Sequence, residues 1–173
     1  MNKRVFVVSL VIIVLFVIMI VSIKLSQPSI QKQKEILANA EIVLVDGDNE
    51  VVVGINEINN ITVGNFKAVL DTSTTDPVEH NYTGAQLKDI FNKYNIDLSD
   101  RKAVILSAVD GYSVAYSIEE VLLDKNVYIT YKKDGKFLKS RNEGGRGPYE
   151  SIVVSDKFSN RRCKWLTKIE VIK

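Results

Sequence analysis

The sequence predicts an α+β fold, in which a mixed sheet with short helices follows one apolar N-terminal helix. Three observations support this fold class. Short β-rich runs recur between turn residues, and an amphipathic helix interrupts them without a regular βαβ period. The 19 residues of Val5–Ile23 carry no charge, which is a length typical of a membrane-spanning helix.

The apolar run predicts a single-pass transmembrane anchor over residues 1–24. Lys3 and Arg4 precede the run, so the positive-inside rule places the N-terminus in the cytoplasm and the rest of the chain in an extracytoplasmic position. A cleaved signal peptide is the alternative. Its apolar core would be shorter, about 7–15 residues, and no small-x-small site directly follows Ile23.

Residues 25–40 are polar and rich in Gln and Lys, so we expect a stalk between the anchor and one domain over residues 41–173. The domain begins with Glu41–Val45 and Glu50–Val53, whose connecting Asp-Gly-Asp-Asn sequence predicts a hairpin. Alternation and turn residues predict the remaining strands at Asn65–Asp71, Lys102–Ala108, Tyr112–Tyr116, Val127–Lys132, Ser151–Val154 and Leu166–Ile172.

Two helices are predicted within the domain. Gly84–Asn95 places its apolar residues on a single stripe, and Thr83 with Gln86 matches a capping box. A second capping box at Ser117-Ile118-Glu119-Glu120 predicts a short helix that continues to Leu123. The polar segment Thr72–Tyr82 predicts a loop between strand and helix.

Charge is unevenly distributed along a chain whose formal net charge is only +2. Residues 35–130 contain 16 acidic and 6 basic residues, whereas residues 131–165 contain 10 basic and 4 acidic residues. The excess of cations near the end predicts an electrostatic site there. A solvated edge, or an edge that contacts acidic lipid headgroups or cell-wall polymers, remains open as an alternative.

Five phrases occur in a fixed order after residue 81, namely YTGAQLKDIF, VILSAVDGYSVAYSIEEVL, VYITYKKDGKFL, GPYESIVVSDKF and CKWLTKIEVI. Together they resemble the molybdopterin-binding domain of sulfite-oxidase-type oxidoreductases. The resemblance extends from about Val43 to Lys173 and is most specific after Tyr82. It implies a mixed α+β domain that holds a molybdenum-pterin cofactor, whose metal is bound by one cysteine thiolate from the first half of the domain.

This chain departs from that pattern at the metal ligand. The corresponding stretch, Leu70–Thr75, reads LDTSTT and contains no cysteine, and the single cysteine is Cys163 near the end. Thiolate is the soft ligand that suits such a metal, and a hydroxyl group is a poor replacement. We therefore expect no molybdenum bound through a protein thiolate, and we do not expect a competent oxidase from this chain by itself.

The resemblance also implies that the glycine-rich loop and the segment before Trp165 face the cofactor or an oxyanion substrate. Arginine offers a planar fork for phosphate or sulfonate, lysine offers a point charge, and glycines let backbone N–H groups approach an anion. Gly144, Gly145 and Gly147 are the glycines concerned. The candidate cofactor-binding residues are Arg141, Arg146, Lys157, Arg161, Arg162 and Lys164.

These features predict a membrane-anchored extracytoplasmic domain that binds a small anionic, pterin-like ligand or a protein partner in an envelope redox system. Molybdopterin is the cofactor that the resemblance implies, and no catalytic or metal-binding residue is assigned. No motif predicts nucleic-acid binding. Two alternatives remain, namely a molybdopterin-dependent oxidoreductase or enzyme subunit with an atypical metal site, and a structural interaction module of the envelope.

Overall fold

The structure is a computed structural model that describes the backbone of residues 3–73 and 75–173. Side chains are described for the same residues except 3–7, 23–30 and 33. The first element is helix α1, Lys3–Ala38. Among the described residues, no helix is long and apolar enough to cross a membrane. The predicted anchor lies partly outside the described side chains and stays a prediction.

Helix α1 continues through the segment predicted as a stalk, and its end packs on the domain. Leu37 is buried in the main hydrophobic core, with 4% of its surface exposed. The hydroxyl of Tyr149 donates a hydrogen bond to the carbonyl oxygen of Ala40 at 3.2 Å. The packed part of the domain therefore includes the last turn of α1, ahead of residue 41.

Two five-stranded sheets form the domain, which confirms the predicted mixed α+β class. The first contains β1 (Glu41–Asp46), β2 (Asn49–Gly54), β5 (Ala103–Ala108), β6 (Ser113–Ser117) and β10 (Leu166–Ile172). Its order is β2-β1-β10-β5-β6, with β1 and β10 parallel and the other pairs antiparallel. The last strand of the chain thus joins the N-terminal hairpin to the β5–β6 hairpin.

The second sheet contains β3 (Val63–Thr72), β4 (Thr75–Gln86), β7 (Val127–Lys133), β8 (Lys136–Phe137) and β9 (Glu150–Val153). Strand β7 is central because β4 pairs with one of its edges and both β8 and β9 pair with the other. The short helices are α2 (Ile55–Asn59), α3 (Leu87–Lys93) and α4 (Ile118–Leu122). The main core draws side chains from both sheets and from all three short helices.

The predicted loop Thr72–Tyr82 is wrong, because most of it belongs to strand β4. Strand β4 pairs with β3 as far as Thr75, well beyond the part of β4 that also pairs with β7. Most of this extension is exposed, so polar residues occupy both of its faces and the period-2 alternation is lost. Thr74, within the turn, lies outside the described residues.

The predicted start of the helix Gly84–Asn95 is also wrong, since the observed helix α3 begins at Leu87. Gly84 lies within β4, and a Cβ atom there would sit 2.2 Å from the carbonyl oxygen of Ile129 on β7. Thr83 pairs with Asn65 of β3 and does not cap the helix. The capping box at Ser117 is confirmed, with Ser117 Oγ accepting from the Glu120 N–H at 3.2 Å.

Candidate functional site

A cavity of about 650 Å³ lies where two hairpin turns meet the segment that precedes β10. Its volume is within the range of small-molecule sites, about 300–1,000 Å³. The end of β3 supplies Asp71 and Thr72, the turn after it supplies Ser73, and the β5–β6 turn supplies Asp110 and Tyr112. The other lining residues come from the loop before β9 and the segment before β10, namely Arg146, Phe158, Ser159, Asn160, Arg162, Lys164 and Trp165.

Ser159 and Arg162 position the β3–β4 turn against the rest of the cavity. Ser159 Oγ accepts from the Asp71 N–H at 2.9 Å and donates to the Val69 carbonyl at 3.1 Å. Arg162 Nη2 donates to the same carbonyl at 2.7 Å, and its Nη1 donates to the Tyr82 hydroxyl at 2.9 Å. These bonds occupy polar groups on the outer edge of β3, which would otherwise lack partners.

Arg146 enters the cavity wall while a buried carboxylate holds its guanidinium. Glu150, at the start of β9, is completely buried, and its Oε1 accepts a hydrogen bond from Arg146 Nε at 2.6 Å and forms an ion pair with Nη2 at 2.5 Å. The Arg146 carbonyl also accepts from the Trp165 N–H at 3.0 Å. Arg146 is therefore fixed through both its side chain and its backbone, and its charge is already paired.

Trp165 forms an aromatic part of the wall and carries backbone strain. Its φ is +53°, a left-handed conformation that is an outlier for a bulky residue. The indole Nε1–H donates to the Gly145 carbonyl at 2.7 Å, which fixes the ring direction. The Lys164 ammonium lies 5.5 Å from the centre of this ring. Sequence analysis missed Trp165 as a site residue because a strand-start tryptophan is ordinarily a core residue.

Three of the six predicted cations reach the cavity, namely Arg146, Arg162 and Lys164. The Arg161 guanidinium does not line it, because it donates to Glu120 at 2.6 Å and also forms an ion pair with Asp156. Those two carboxylates raise the pKa of Arg161 above its ordinary value. A binding role for the six predicted cations stays a prediction.

The other two predicted cations lie outside the lining. Arg141 is exposed and stacks over the Trp165 ring, with its guanidinium carbon 4.9 Å from the ring centre. Arg141 can therefore support the tryptophan wall without lining the cavity. Lys157 is exposed and neighbours Phe158 in the chain, but it does not line the cavity either.

The glycine-rich loop does not offer the free backbone donors that its sequence suggested. The N–H groups of Gly144, Gly145 and Gly147 already donate to the carbonyls of Arg141, Ser140 and Lys139, respectively. A Cβ atom at Gly145 would lie 2.1 Å from the Lys139 carbonyl oxygen. The glycines allow close packing of the loop on the segment that follows β8, so the predicted anion nest is corrected to a packing role.

Sequence analysis also missed the two carboxylates of the cavity, Asp71 and Asp110. Asp110 Oδ1 accepts from the Tyr112 N–H at 3.1 Å within the β5–β6 turn, and the Tyr112 hydroxyl donates to the Asn160 carbonyl at 2.9 Å. Asp110 precedes a glycine and is an ordinary turn residue, so the sequence predicted no site role for it, nor for Asp71. Their place in the cavity depends on long-range packing, for which no local sequence pattern exists.

Cys163 does not face the cavity as a metal ligand would. It is completely buried, does not line the cavity, and its N–H donates to Ser151 Oγ at 3.0 Å. Burial raises the pKa of its thiol to about 12, so the thiol stays protonated at neutral pH. Among the described residues, no group of three or more His, Cys, Asp and Glu side chains is placed to hold a metal ion.

This architecture defines the chain as an α+β domain of one mixed and one antiparallel sheet, with a cavity beside the turns that join their strands. Its residues 57–173 match the family model described as the oxidoreductase molybdopterin binding domain, and the chain belongs to that family. Among curated proteins, sequence comparison finds no match.

Among solved structures, the chain is similar to the crystal structure of the sulfane dehydrogenase SoxCD from Paracoccus pantotrophus. The TM-score is 0.65 at 13% sequence identity, and the match covers 78% of this chain and 38% of the SoxCD chain. At this identity the likeness shows a shared fold. The chain spans well under half the length of that neighbour.

The cavity fits the family's cofactor only in part. Its size, its cations and its aromatic wall suit an organic anion with a flat ring. Its possible metal donors are oxygen atoms, from Asp71, Thr72, Ser73, Asp110 and Tyr112, and its lining contains no sulfur among the described residues. This donor set does not fit a molybdenum centre held by a protein thiolate.

Proposed function

We propose that the domain binds a small organic anion, such as a pterin-like molecule, and does not hold molybdenum through a thiolate of its own. The convergence of Arg146, Arg162 and Lys164 on one aromatic-walled cavity carries this proposal. A purely structural module would need no such cavity. Redox chemistry, if the protein takes part in it, is then supplied by a partner or by the ligand.

Lys164 is the residue that we expect to meet the ligand's charge. Among the described residues, no carboxylate forms an ion pair with its ammonium group, which instead lies near the Trp165 ring. The charge of Arg146 is neutralised by Glu150, and the guanidinium of Arg162 already donates hydrogen bonds to the Tyr82 hydroxyl and the Val69 carbonyl. An anion that stacks on Trp165 can therefore reach Lys164 without breaking an existing ion pair.

Lys164→Gln tests this proposal with 6-carboxypterin, a flat fluorescent ring that carries one carboxylate. We expect its Kd to rise about tenfold, as loss of one charge-assisted contact implies, and its salt dependence to weaken. Lys157→Gln is the matched control, since it removes an exposed lysine outside the lining. Equal binding by the two variants would remove the proposal, as would no binding to the unaltered protein.

A molybdopterin-dependent enzyme with an atypical metal site is the second candidate function. Asp71 favours it, because this residue lines the cavity from the end of β3, within the stretch where the family resemblance places the metal ligand. Elemental analysis of protein from its native host decides between the two. Stoichiometric molybdenum that is lost in Asp71→Asn would establish the enzyme, and a metal content at background would leave the binding function.

A further inference from the structure

A buried carboxylate, that of Glu150, does not line the cavity but forms an ion pair with its lining residue Arg146. Glu150 is completely buried, and both of its backbone neighbours are fixed: Thr130 of β7 pairs with it, and Lys164 forms an isolated bridge with it. The Thr130 hydroxyl also donates to the Glu150 carbonyl at 2.9 Å. The backbone of Glu150 is therefore fixed next to that of Lys164, and its carboxylate pairs with Arg146.

This carboxylate is only half satisfied by hydrogen bonds. Arg146 Nε donates a hydrogen bond to Oε1 and Nη2 forms an ion pair with the same oxygen, while Oε2 is buried and lacks a hydrogen-bond partner among the described residues. A buried carboxylate oxygen without a partner is costly, and a purely structural pair would be expected to use both oxygens in a fork. Among the described residues, the Nη1 atom of Arg146, which lines the cavity, makes no hydrogen bond or ion pair.

The charges around the cavity balance because of Glu150. Three cations line it, Arg146, Arg162 and Lys164, and two carboxylates line it, Asp71 and Asp110. Glu150 adds the third negative charge from behind the wall. A ligand with one negative charge leaves the site with a small net charge, whereas a ligand with two charges adds repulsion from three fixed carboxylates.

We propose that Glu150 is a specificity-determining residue, which neutralises Arg146 so that the cavity selects anions with one negative charge over anions with two. This inference rests on the proposed anion-binding function and deepens it. Glu150 also orients Arg146, since its carboxylate fixes the guanidinium along the Nε–Nη2 side. The residue acts through Arg146 and does not itself touch the ligand.

Glu150→Gln tests the inference, because glutamine keeps the side-chain shape and one acceptor oxygen while it removes the charge. Sulfate and nitrate compete with 6-carboxypterin at constant ionic strength, and the ratio of their inhibition constants measures charge selection. We expect the variant to shift this ratio about tenfold towards sulfate, as one uncompensated charge within several ångströms implies. Glu120→Gln is the matched control, since it removes a carboxylate that pairs with Arg161 outside the lining.

The outcomes separate the two proposals. If 6-carboxypterin binds and depends on Lys164, but the ratio in Glu150→Gln equals that in Glu120→Gln, the role of Glu150 is overturned while anion binding stands. If 6-carboxypterin does not bind the unaltered protein, the proposed anion-binding function is wrong, and the inference about Glu150 is overturned with it. If Glu150→Gln does not fold, Glu150→Gln combined with Arg146→Gln provides the test: it removes both charges of the pair, so the ratio must stay within about twofold of that of the unaltered protein, and a tenfold shift towards nitrate overturns the inference.

Discussion

Arg162 shows that a cation in a binding cavity can be mainly a structural residue. Its side chain is 6% exposed, and it lies over the Tyr82 ring at 5.2 Å while it donates to the Tyr82 hydroxyl. A buried guanidinium is stable only when its donors are used. Here the partners are a phenol and a backbone carbonyl of an edge strand, so Arg162 holds β3 to the final segment of the chain.

Arg162→Met is therefore expected to destabilise the fold by about 2–3 kcal/mol, because two hydrogen bonds to a charged group are lost. Urea denaturation followed by tryptophan fluorescence measures this free energy of unfolding. Arg141→Met is the control, since this exposed arginine only stacks on Trp165 and its loss should cost at most about 1 kcal/mol. Equal stability of the two variants would show that the Arg162 bonds do not hold the strand.

The residue types predicted the general location of the site but not how its charges are paired. The cluster of cations near the end of the chain was visible, and three of its members line one cavity. Their electrostatic state was not visible. Arg161 pairs with Glu120 of α4 through a tertiary contact, and Arg146 pairs with Glu150, which lies only four residues further along the chain but outside any helix, where this spacing does not predict a contact. Two arginines of the same predicted cluster thus have different roles: Arg146 lines the cavity with its charge neutralised, and Arg161 forms an ion pair outside the lining.

Among the elements, the loop from Lys139 to Pro148 depends on glycine for close packing. Gly147 lies against Leu138, and a Cβ atom there would be 2.5 Å from the Leu138 Cβ. At Gly145 the obstacle is a backbone carbonyl, which cannot rotate away as the end of a flexible side chain does. Because Gly145 also accepts the Trp165 indole N–H, the packing of the loop fixes the cavity's aromatic wall.

Gly145→Ala is expected to destabilise the protein by about 1–3 kcal/mol, since the added methyl group overpacks a closed contact. It should also weaken 6-carboxypterin binding by displacing Trp165. Gly64→Ala is the matched control on β3, where a Cβ atom meets no described atom within 4 Å. Thermal unfolding of both variants tests the prediction, which is contradicted if Gly145→Ala melts at the same temperature as Gly64→Ala.

Element boundaries were predicted where burial enforces a pattern and missed where it does not. Strand β10 was placed correctly at Leu166–Ile172, because it lies between β1 and β5 and alternates in burial. The outer half of β4 was read as a loop, since its pairing with β3 leaves both faces exposed and imposes no apolar alternation. Strand pairing through backbone hydrogen bonds, with both faces exposed, imposes no side-chain pattern that the sequence could show.

For the whole molecule, the cavity depends on the order in which the strands meet. Strand β10 lies between β1 and β5, which brings the segment before β10 to the β5–β6 turn. The β3–β4 hairpin reaches the same segment from the other sheet through Ser159 and Arg162. Sequence resemblance predicted this family of folds, while the identity of the lining required the tertiary arrangement.

The N-terminal helix raises the question of where the molecule resides. Between Val8 and Val21, the large apolar side chains of α1 are 45–61% exposed, whereas Leu37 near the end of the helix is buried in the main core. Such a surface requires a partner that is apolar. We propose that a bilayer covers it, with Lys3 and Arg4 on the cytoplasmic side and the domain on the other side.

The full chain is therefore expected in the membrane fraction and to resist alkaline carbonate extraction, whereas residues 31–173 should stay soluble and folded because they keep Leu37. The matched variant is Ile13→Arg with Phe16→Arg in the full chain. Each arginine costs about 2.5–3.5 kcal/mol at the centre of a membrane helix, so this variant should leave the membrane while its domain still binds 6-carboxypterin. A full chain that carbonate releases as readily as the double variant would show that the apolar surface contacts another protein and not lipid.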